Sequence, residues 1–123
     1  MRRDSNDILW KEVKQKVRAR DGNICRLLKV LSLQEGILLR KNAEHLLYQL
    51  DPAHFISVSQ DSSIMYDENN IVMLNHYSHS NLDSCRNPIT GEYISQEEVR
   101  NWWERILKGN KYQYEYLKNK DLL

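Results

Sequence analysis

The fold is decided by the stretch from residue 51 to residue 83, which reads DPAHFISVSQDSSIMYDENNIVMLNHYSHSNLD. Aromatic and β-branched residues at 53–58 predict a short strand, and the apolar run at 71–74 predicts a second one. The residues between them, 59–70, are mostly polar, which indicates a loop. Histidines and small polar residues recur at helical spacing over 75–83 and predict a short helix. Two strands followed by a helix favour an α+β fold.

A basic amphipathic helix is predicted before this segment. Over residues 4–20, the apolar residues Trp10, Val13 and Val17 recur at i, i+3 and i+7. The other faces of this helix carry five basic residues, which are Lys11, Lys14, Lys16, Arg18 and Arg20. The helix ends at the Asp-Gly-Asn sequence of 21–23, because glycine and asparagine tolerate the left-handed backbone conformation.

A second helix is predicted over residues 33–50, where apolar residues keep a spacing of three to four. We expect a boundary at Asp51, because the proline that follows disfavours a helical conformation in the residue before it.

A third long helix is predicted near the end of the chain. Ser95 and Glu98 fit a capping box, in which the two side chains satisfy free amides at a helix start. The core face of that helix consists of Val99, Trp102, Trp103 and Ile106. From Gly109 onwards the chain is rich in tyrosine, and the pattern is compatible with a last helix or with an extended docking segment.

Length and composition describe one globular domain spanning 1–123. The chain has 123 residues, of which 41% are apolar and 28% charged, and this excludes a disordered tail or a fibrous repeat. Its longest apolar runs fall far short of the roughly 20 residues that a membrane helix needs. The first residues lack the apolar core of a signal peptide, so we expect a cytoplasmic protein. Cys25 and Cys85 form no CxxC pair, which excludes a disulfide framework and a four-cysteine zinc site.

Charge is distributed unevenly along the chain. Residues 1–50 contain 11 Lys and Arg against 6 Asp and Glu, whereas residues 51–123 contain 7 against 11. A basic first part is suited to contact phosphate, and an acidic second part is suited to hold cations or to scaffold the fold. Charge scattered over solvated helix faces explains the same numbers equally well.

The residues with chemical potential are concentrated in the strand, loop, strand, helix segment. His54, His76 and His79 fall within it, and Asn70 lies between the first histidine and the other two. Asp51 and Asp83 flank the segment. This order resembles the HNH endonuclease motif, the ββα-metal fold of colicin DNases, homing endonucleases and many phage nucleases. The resemblance extends over about residues 18–107 and points to a small phage-type member.

The resemblance implies a role for each matching residue. His54 matches the general base that deprotonates water, and Asn70 matches the asparagine that braces the loop between the strands and orients that base. His79 matches a metal ligand, and Asp83 lies one helical turn later, facing the same way. One divalent cation is implied, with Mg²⁺ or Mn²⁺ favoured over Ni²⁺ or Zn²⁺.

The chain departs from the family pattern at two places. The residue before the base histidine usually binds the metal, but here it is Ala53, so Asp51 is the expected substitute on the same strand face. Many relatives carry two CxxC pairs that hold zinc, whereas here only Cys25 remains of the two pairs. We therefore expect apolar packing to replace the zinc, through Met73, Leu74, Leu82, Val99, Trp102 and Trp103.

The sequence thus predicts a metal-dependent DNA endonuclease that leaves 5′-phosphate and 3′-hydroxyl ends. The basic residues of the first helix would contact the DNA backbone, and His76 is either a further phosphate contact or a plain helix-start residue. Two alternatives stay open. One is an inactive HNH-like module that binds DNA or protein, suggested by Ala53, and the other is a small protein-interaction domain of a phage or its host.

Overall fold

The computed structural model describes residues 5–123, so the predicted helix start at Asp4 lies outside the described residues. The helices, in chain order, are α1 (Ser5–Asp21), α2 (Arg26–Val30), α3 (Leu33–Ala43), α4 (His76–Asp83), α5 (Gln96–Leu107) and α6 (Lys111–Asn119). The strands are β1 (Leu50–His54) and β2 (Ile71–Asn75), and both precede α4. Helix and strand are therefore mixed as an α+β fold requires, and no described helix has the length and apolar character needed to cross a membrane.

The two strands pair antiparallel, with Asp51 opposite Leu74 and His54 opposite Ile71. β2 was predicted correctly, but β1 begins at Leu50 and ends at His54, so the predicted strand at 53–58 was shifted and the boundary at Asp51 was wrong. Proline is tolerated here because each strand of a two-stranded sheet is an edge, where a missing N–H can face away from the partner.

The sheet is covered on both faces, as a marginal two-stranded sheet must be. On one face, Ile71 and Met73 of β2 pack against Val13 and Val17 of α1. The other face contributes to the main core, whose most buried members include Ala53, Val72, Leu74, Leu82, Trp103, Ile106 and Leu117. Because directly paired residues share a face, His54 lies on the α1 face with Ile71, whereas Asp51 lies on the main-core face with Leu74.

Local sequence signals account for most helix ends. α1 ends as predicted, at Gly22 and Asn23, whose φ angles are 69° and 57°. The capping box of α5 is formed by Ser95 and Glu98. The predicted helix over 33–50 is shorter than expected, because α3 ends at residue 43 and a 3₁₀ turn follows it. The tyrosine-rich tail forms α6, which buries Leu117.

A buried polar network joins Cys25 to the end of β2 and the start of α4. The backbone amide of Asn75 donates to Cys25 Sγ at 3.1 Å, and its side-chain amide donates to the same sulfur at 3.3 Å and to Ser78 Oγ at 3.0 Å. The expected apolar packing by Leu74, Leu82 and Trp103 is present, and Cys25 belongs to the same core cluster. Apolar packing and hydrogen bonds therefore hold this part of the structure together.

Candidate functional site

The end of β2 and the start of α4 bring four polar side chains together. β2 runs directly into α4, because Asn75 ends the strand and caps the helix by accepting a hydrogen bond from Ser78 N at 2.8 Å. The antiparallel register then places Asp51 of β1 beside the first turn of α4. The resulting group, here called the β1–α4 cluster, consists of Asp51, His76, His79 and Asp83.

One carboxylate oxygen organises both histidines of the β1–α4 cluster. Asp51 Oδ2 lies 2.7 Å from His76 Nδ1 and 3.0 Å from His79 Nδ1. The other ring nitrogen of His79, Nε2, lies 3.3 Å from Asp83 Oδ2. The His79 side chain is 23% exposed and the His76 side chain 48%, so the cluster is open to solvent and to a ligand.

The protonation of Asp51 fixes the orientation of both rings. Burial alone would raise the pKa of Asp51, but hydrogen bonds from His79 and His76 outweigh it and hold the pKa below its ordinary value. The carboxylate is therefore ionised and can only accept, so both Nδ1 atoms donate. A neutral His79 then directs the lone pair of Nε2 at the carboxylate of Asp83, and only a positive charge between them, a proton or a cation, makes that contact favourable.

The same contact can be tested for its fit to a metal. Ligand atoms that lie about 2.0–2.1 Å from an ion are about 2.8–3.0 Å apart in the octahedral geometry of Mg²⁺ and about 3.3–3.4 Å apart in the tetrahedral geometry of Zn²⁺. The 3.3 Å separation of His79 Nε2 and Asp83 Oδ2 matches the tetrahedral distance and exceeds the octahedral one by a few tenths of an ångström. Asp51 on the far nitrogen of His79 has the position of the carboxylate that commonly orients a ligating histidine.

Asp51 does not fit the prediction that it is a third ligand. It bonds Nδ1, so an ion on Nε2 would lie on the opposite side of the imidazole ring from its bonded oxygen. Within residues 5–123, no group of three or more His, Cys, Asp and Glu side chains is arranged to hold a metal ion. Any ion at this point would therefore have two protein ligands and would take its others from water or from phosphate oxygens, as Mg²⁺ commonly does.

His54 is not in contact with the β1–α4 cluster. Its ring is stacked on Trp10 of α1, with centroids 5.3 Å apart and planes inclined by 15°. Its Nε2 lies 2.9 Å from the carbonyl oxygen of Met65 and therefore donates to it, which leaves Nδ1 as the acceptor. Strand alternation causes this separation, because residue 54 and residue 51 face opposite sides of the sheet.

Asn70 braces the loop between the two strands. It is fully buried, its Oδ1 accepts from Ile56 N at 2.8 Å, and its Nδ2 donates to Ile56 O at 2.9 Å. Its carbonyl oxygen also accepts from Phe55 N at 2.8 Å, immediately after His54. These bonds hold together the chain on either side of the loop.

The basic residues expected to contact DNA have different environments. Lys11, Lys16 and Arg18 are exposed on α1, and Lys14 Nζ lies 5.5 Å from the centre of the Trp10 ring. Arg20 was predicted wrongly as a phosphate contact, because its guanidinium donates to the carbonyls of residue 68 at 2.7 Å and residue 71 at 2.5 Å. That side chain links α1 to the sheet instead.

A pocket beside His54 was not anticipated from the sequence. It has a volume of about 310 Å³ and is lined by Asp7, Trp10, His54, Val58, Met65 and Tyr66. The helical pattern had placed Trp10 on the core face of α1, and no local signal relates it to a histidine 44 positions later.

Comparison of the chain with protein-family models, curated proteins and solved structures found no match.

Proposed function

We propose that this chain is a metal-dependent DNA endonuclease of the HNH type, which uses a single divalent cation and leaves 5′-phosphate and 3′-hydroxyl ends. The observation that carries the proposal is the contact of His79 Nε2 with Asp83 Oδ2 at 3.3 Å, while Nδ1 is held by Asp51. The carboxylates of Asp51 and Asp83 lie beside the two histidines, and such a set of side chains favours a cation over an anion.

Two further observations support the resemblance. Asn70 braces the loop between two antiparallel strands, and the second strand runs into the helix that carries His79. The second observation is the hydrogen-bond contact among Cys25, Asn75 and Ser78, in which 50 residues separate the first two. These three residues match positions of the two CxxC pairs in zinc-bearing members of the family. A chain descended from a zinc-bearing ancestor would retain this proximity.

The roles of the residues follow from these contacts. His79 and Asp83 would hold the cation, and Asp51 keeps the Nε2 of His79 free to bind it. When bound, a divalent cation neutralises the phosphate charge and stabilises the leaving 3′ oxygen. Exposed lysines of α1 would contact the DNA backbone. The same resemblance carries the expectation that the enzyme acts in the cytoplasm of a host cell and is encoded by a phage or mobile element.

The resemblance assigns the role of general base to His54, whereas the geometry favours His76 for this role. His76 donates from Nδ1 to Asp51, which leaves Nε2 as a proton acceptor on a half-exposed ring beside the cation ligands. His54 lies on the other face of the sheet, with Nε2 engaged by the carbonyl of Met65. Loss of a general base typically reduces the rate by about 10²–10⁴-fold, so the two variants can be distinguished.

The decisive experiment is cleavage of supercoiled plasmid by the purified protein in EDTA or in Mg²⁺, Mn²⁺, Ni²⁺ or Zn²⁺. We expect cleavage that requires a cation and falls by at least about 100-fold in His79→Ala and in His76→Ala. His45→Ala is the matched control, because His45 is exposed in the 3₁₀ turn outside the cluster. Full activity of His79→Ala, or cleavage that persists in EDTA, would contradict the proposal. Loss of cleavage in His54→Ala, together with full activity in His76→Ala, would identify His54 as the general base instead of His76.

The second candidate function is an inactive HNH-like module that binds DNA or a protein partner. Ala53 favours it, because this residue is buried at the position where relatives have a metal ligand and offers no ligand atom. Calorimetry that detects no divalent-cation binding, together with retained DNA binding, would favour this module over the enzyme.

A further inference from the structure

The pocket beside His54 lies on the sheet face opposite the β1–α4 cluster, so it is a separate site. This His54 pocket is formed between α1 and the loop that follows β1. Its volume of about 310 Å³ is at the lower end of the range of about 300–1,000 Å³ that ligand sites have. A pocket of this size suits one planar ring system rather than a large ligand.

The lining of the His54 pocket is suited to a flat, partly polar ligand. Three of its six residues, Trp10, His54 and Tyr66, are ring side chains, and Val58 and Met65 add apolar surface. Asp7 is the sixth lining residue. Because ring and apolar side chains make up most of this lining, it favours the flat face of a nucleobase over a phosphate.

Positive charge lies beside this pocket at Lys14, whose Nζ is 5.5 Å from the Trp10 ring centre. Lys11 and Arg18 are exposed on the same side of α1, whereas Lys16 is exposed on another face of this helix. From residue 11 to residue 18 the helix rises by about 10 Å, which exceeds the reach of one phosphate and covers several phosphates of a strand. An anionic chain, rather than a single nucleotide, matches this length.

We propose that the His54 pocket takes one nucleobase of single-stranded DNA, while Lys11, Lys14 and Arg18 of α1 contact the adjoining phosphates. Bases stack on aromatic side chains in many single-strand binding proteins, where positive charge tracks the backbone. The site does not depend on hydrolysis at the β1–α4 cluster, so binding measured in EDTA tests it independently of the proposed nuclease activity.

The test is fluorescence anisotropy with a labelled single-stranded oligodeoxynucleotide in EDTA. A second probe of the same length has abasic sites throughout, so that it presents the phosphates without the bases, and unlabelled thymidine monophosphate is the competitor. We expect the abasic probe to bind about 5- to 100-fold more weakly, which is the range expected when one stacked base is lost. The mononucleotide should compete poorly.

Variants separate the pocket from the helix surface. Val58 is 43% exposed, so Val58→Trp fills the pocket from its rim without disturbing the core, and the preference for bases over abasic DNA should disappear. Ile37→Trp adds the same bulk at an exposed position of α3 and should leave the preference unchanged. Lys14→Ala should weaken binding of both probes.

Three outcomes would overturn the proposal. Equal binding of the two probes by the unmodified protein would mean that only phosphate contacts contribute to the affinity. An unchanged preference for bases in Val58→Trp would mean that the base binds outside the His54 pocket. Competition by thymidine monophosphate as strong as that by the oligonucleotide would make this a nucleotide site rather than a strand site.

Discussion

Asp51 is the residue on which the geometry of the β1–α4 cluster depends. Its Oδ2 accepts from both His76 and His79, and this shared acceptor sets which nitrogen of each ring is available to a ligand. A carboxylate that bonds the far nitrogen of a ligating histidine increases the affinity for the metal although it does not touch the metal. Asp51 is therefore a positioning residue in the proposed site.

Replacement of this carboxylate tests that role directly. We expect Asp51→Asn to lower the affinity for Mn²⁺ by about 10- to 100-fold, because the amide carries no charge and orients His79 less firmly. Isothermal titration calorimetry measures the affinity. Asp61→Asn removes a charge from the exposed loop after β1 and serves as the control. Unchanged Mn²⁺ affinity in Asp51→Asn would mean that the ion does not bind to His79.

At the scale of the elements, α3 and α5 are joined by one ion pair. Glu35 completes the capping box of α3 and also accepts from Arg105 Nη1 at 2.9 Å and from Nη2 at 2.5 Å. The hydrogen bond from Arg105 is the main reason that the pKa of Glu35 is lowered to about 2. Arg105 also donates to the carbonyl of Val30, so the pair fixes α2 as well.

The lowered pKa of Glu35 predicts a pH-dependent contribution to stability. Glu35→Gln keeps the capping box, so at pH 7 it should lower the free energy of unfolding by only about 0.5–1 kcal/mol, since the pair is partly exposed. The contribution is complete above the ordinary pKa of 4.5 and is lost as the pH falls through about 2, so the difference from the unmodified protein should vanish there.

Urea denaturation at several pH values measures this difference. Glu98→Gln removes the equivalent charge from the capping box of α5 and should cost less, because the hydrogen bonds of Glu98 are made to Ser95. A difference between Glu35→Gln and the unmodified protein that is constant from pH 7 to low pH would refute the role given to Arg105.

At the scale of the whole molecule, a buried polar network joins elements from both ends of the chain. Asp21 at the end of α1 accepts from Arg26 of α2 and from the backbone amide of Met73 in β2 at 3.0 Å. Arg26 also donates to Gln113 of α6 at 2.8 Å. Burial alone would raise the pKa of Asp21, but hydrogen bonds from Arg20 and Arg26 outweigh it and keep the carboxylate ionised.

Removal of one partner from this network should be costly. Arg26→Met leaves the buried carboxylate of Asp21 without its main buried partner, and we expect a loss of about 3–5 kcal/mol in the free energy of unfolding. Urea denaturation provides the measurement, and Arg100→Met on the exposed face of α5 is the control. A loss of less than about 1 kcal/mol would mean that Arg20 alone satisfies Asp21.

Local signals in the sequence determined α1, β2, α4 and α5 close to their observed bounds. Helical spacing, a capping box and a β-branched run depend on residues a few positions apart, so they can be recognised before the chain is folded. The same signals predicted that the two histidines and Asp83 lie on neighbouring turns of α4. They did not predict α2, and they left α6 undecided, because burial against distant residues decides whether such short segments become helical.

Only the tertiary structure decided which side chains meet. The start of β1 at Leu50 sets the register that brings Asp51 to His79 and directs His54 to Trp10 on the other face. Arg20 turns inward for a similar reason, since carbonyls of a segment about 50 residues away lie beside it. Contacts of this kind follow from the joint packing of both sheet faces, whereas a linear pattern describes only the neighbours of each residue along the chain.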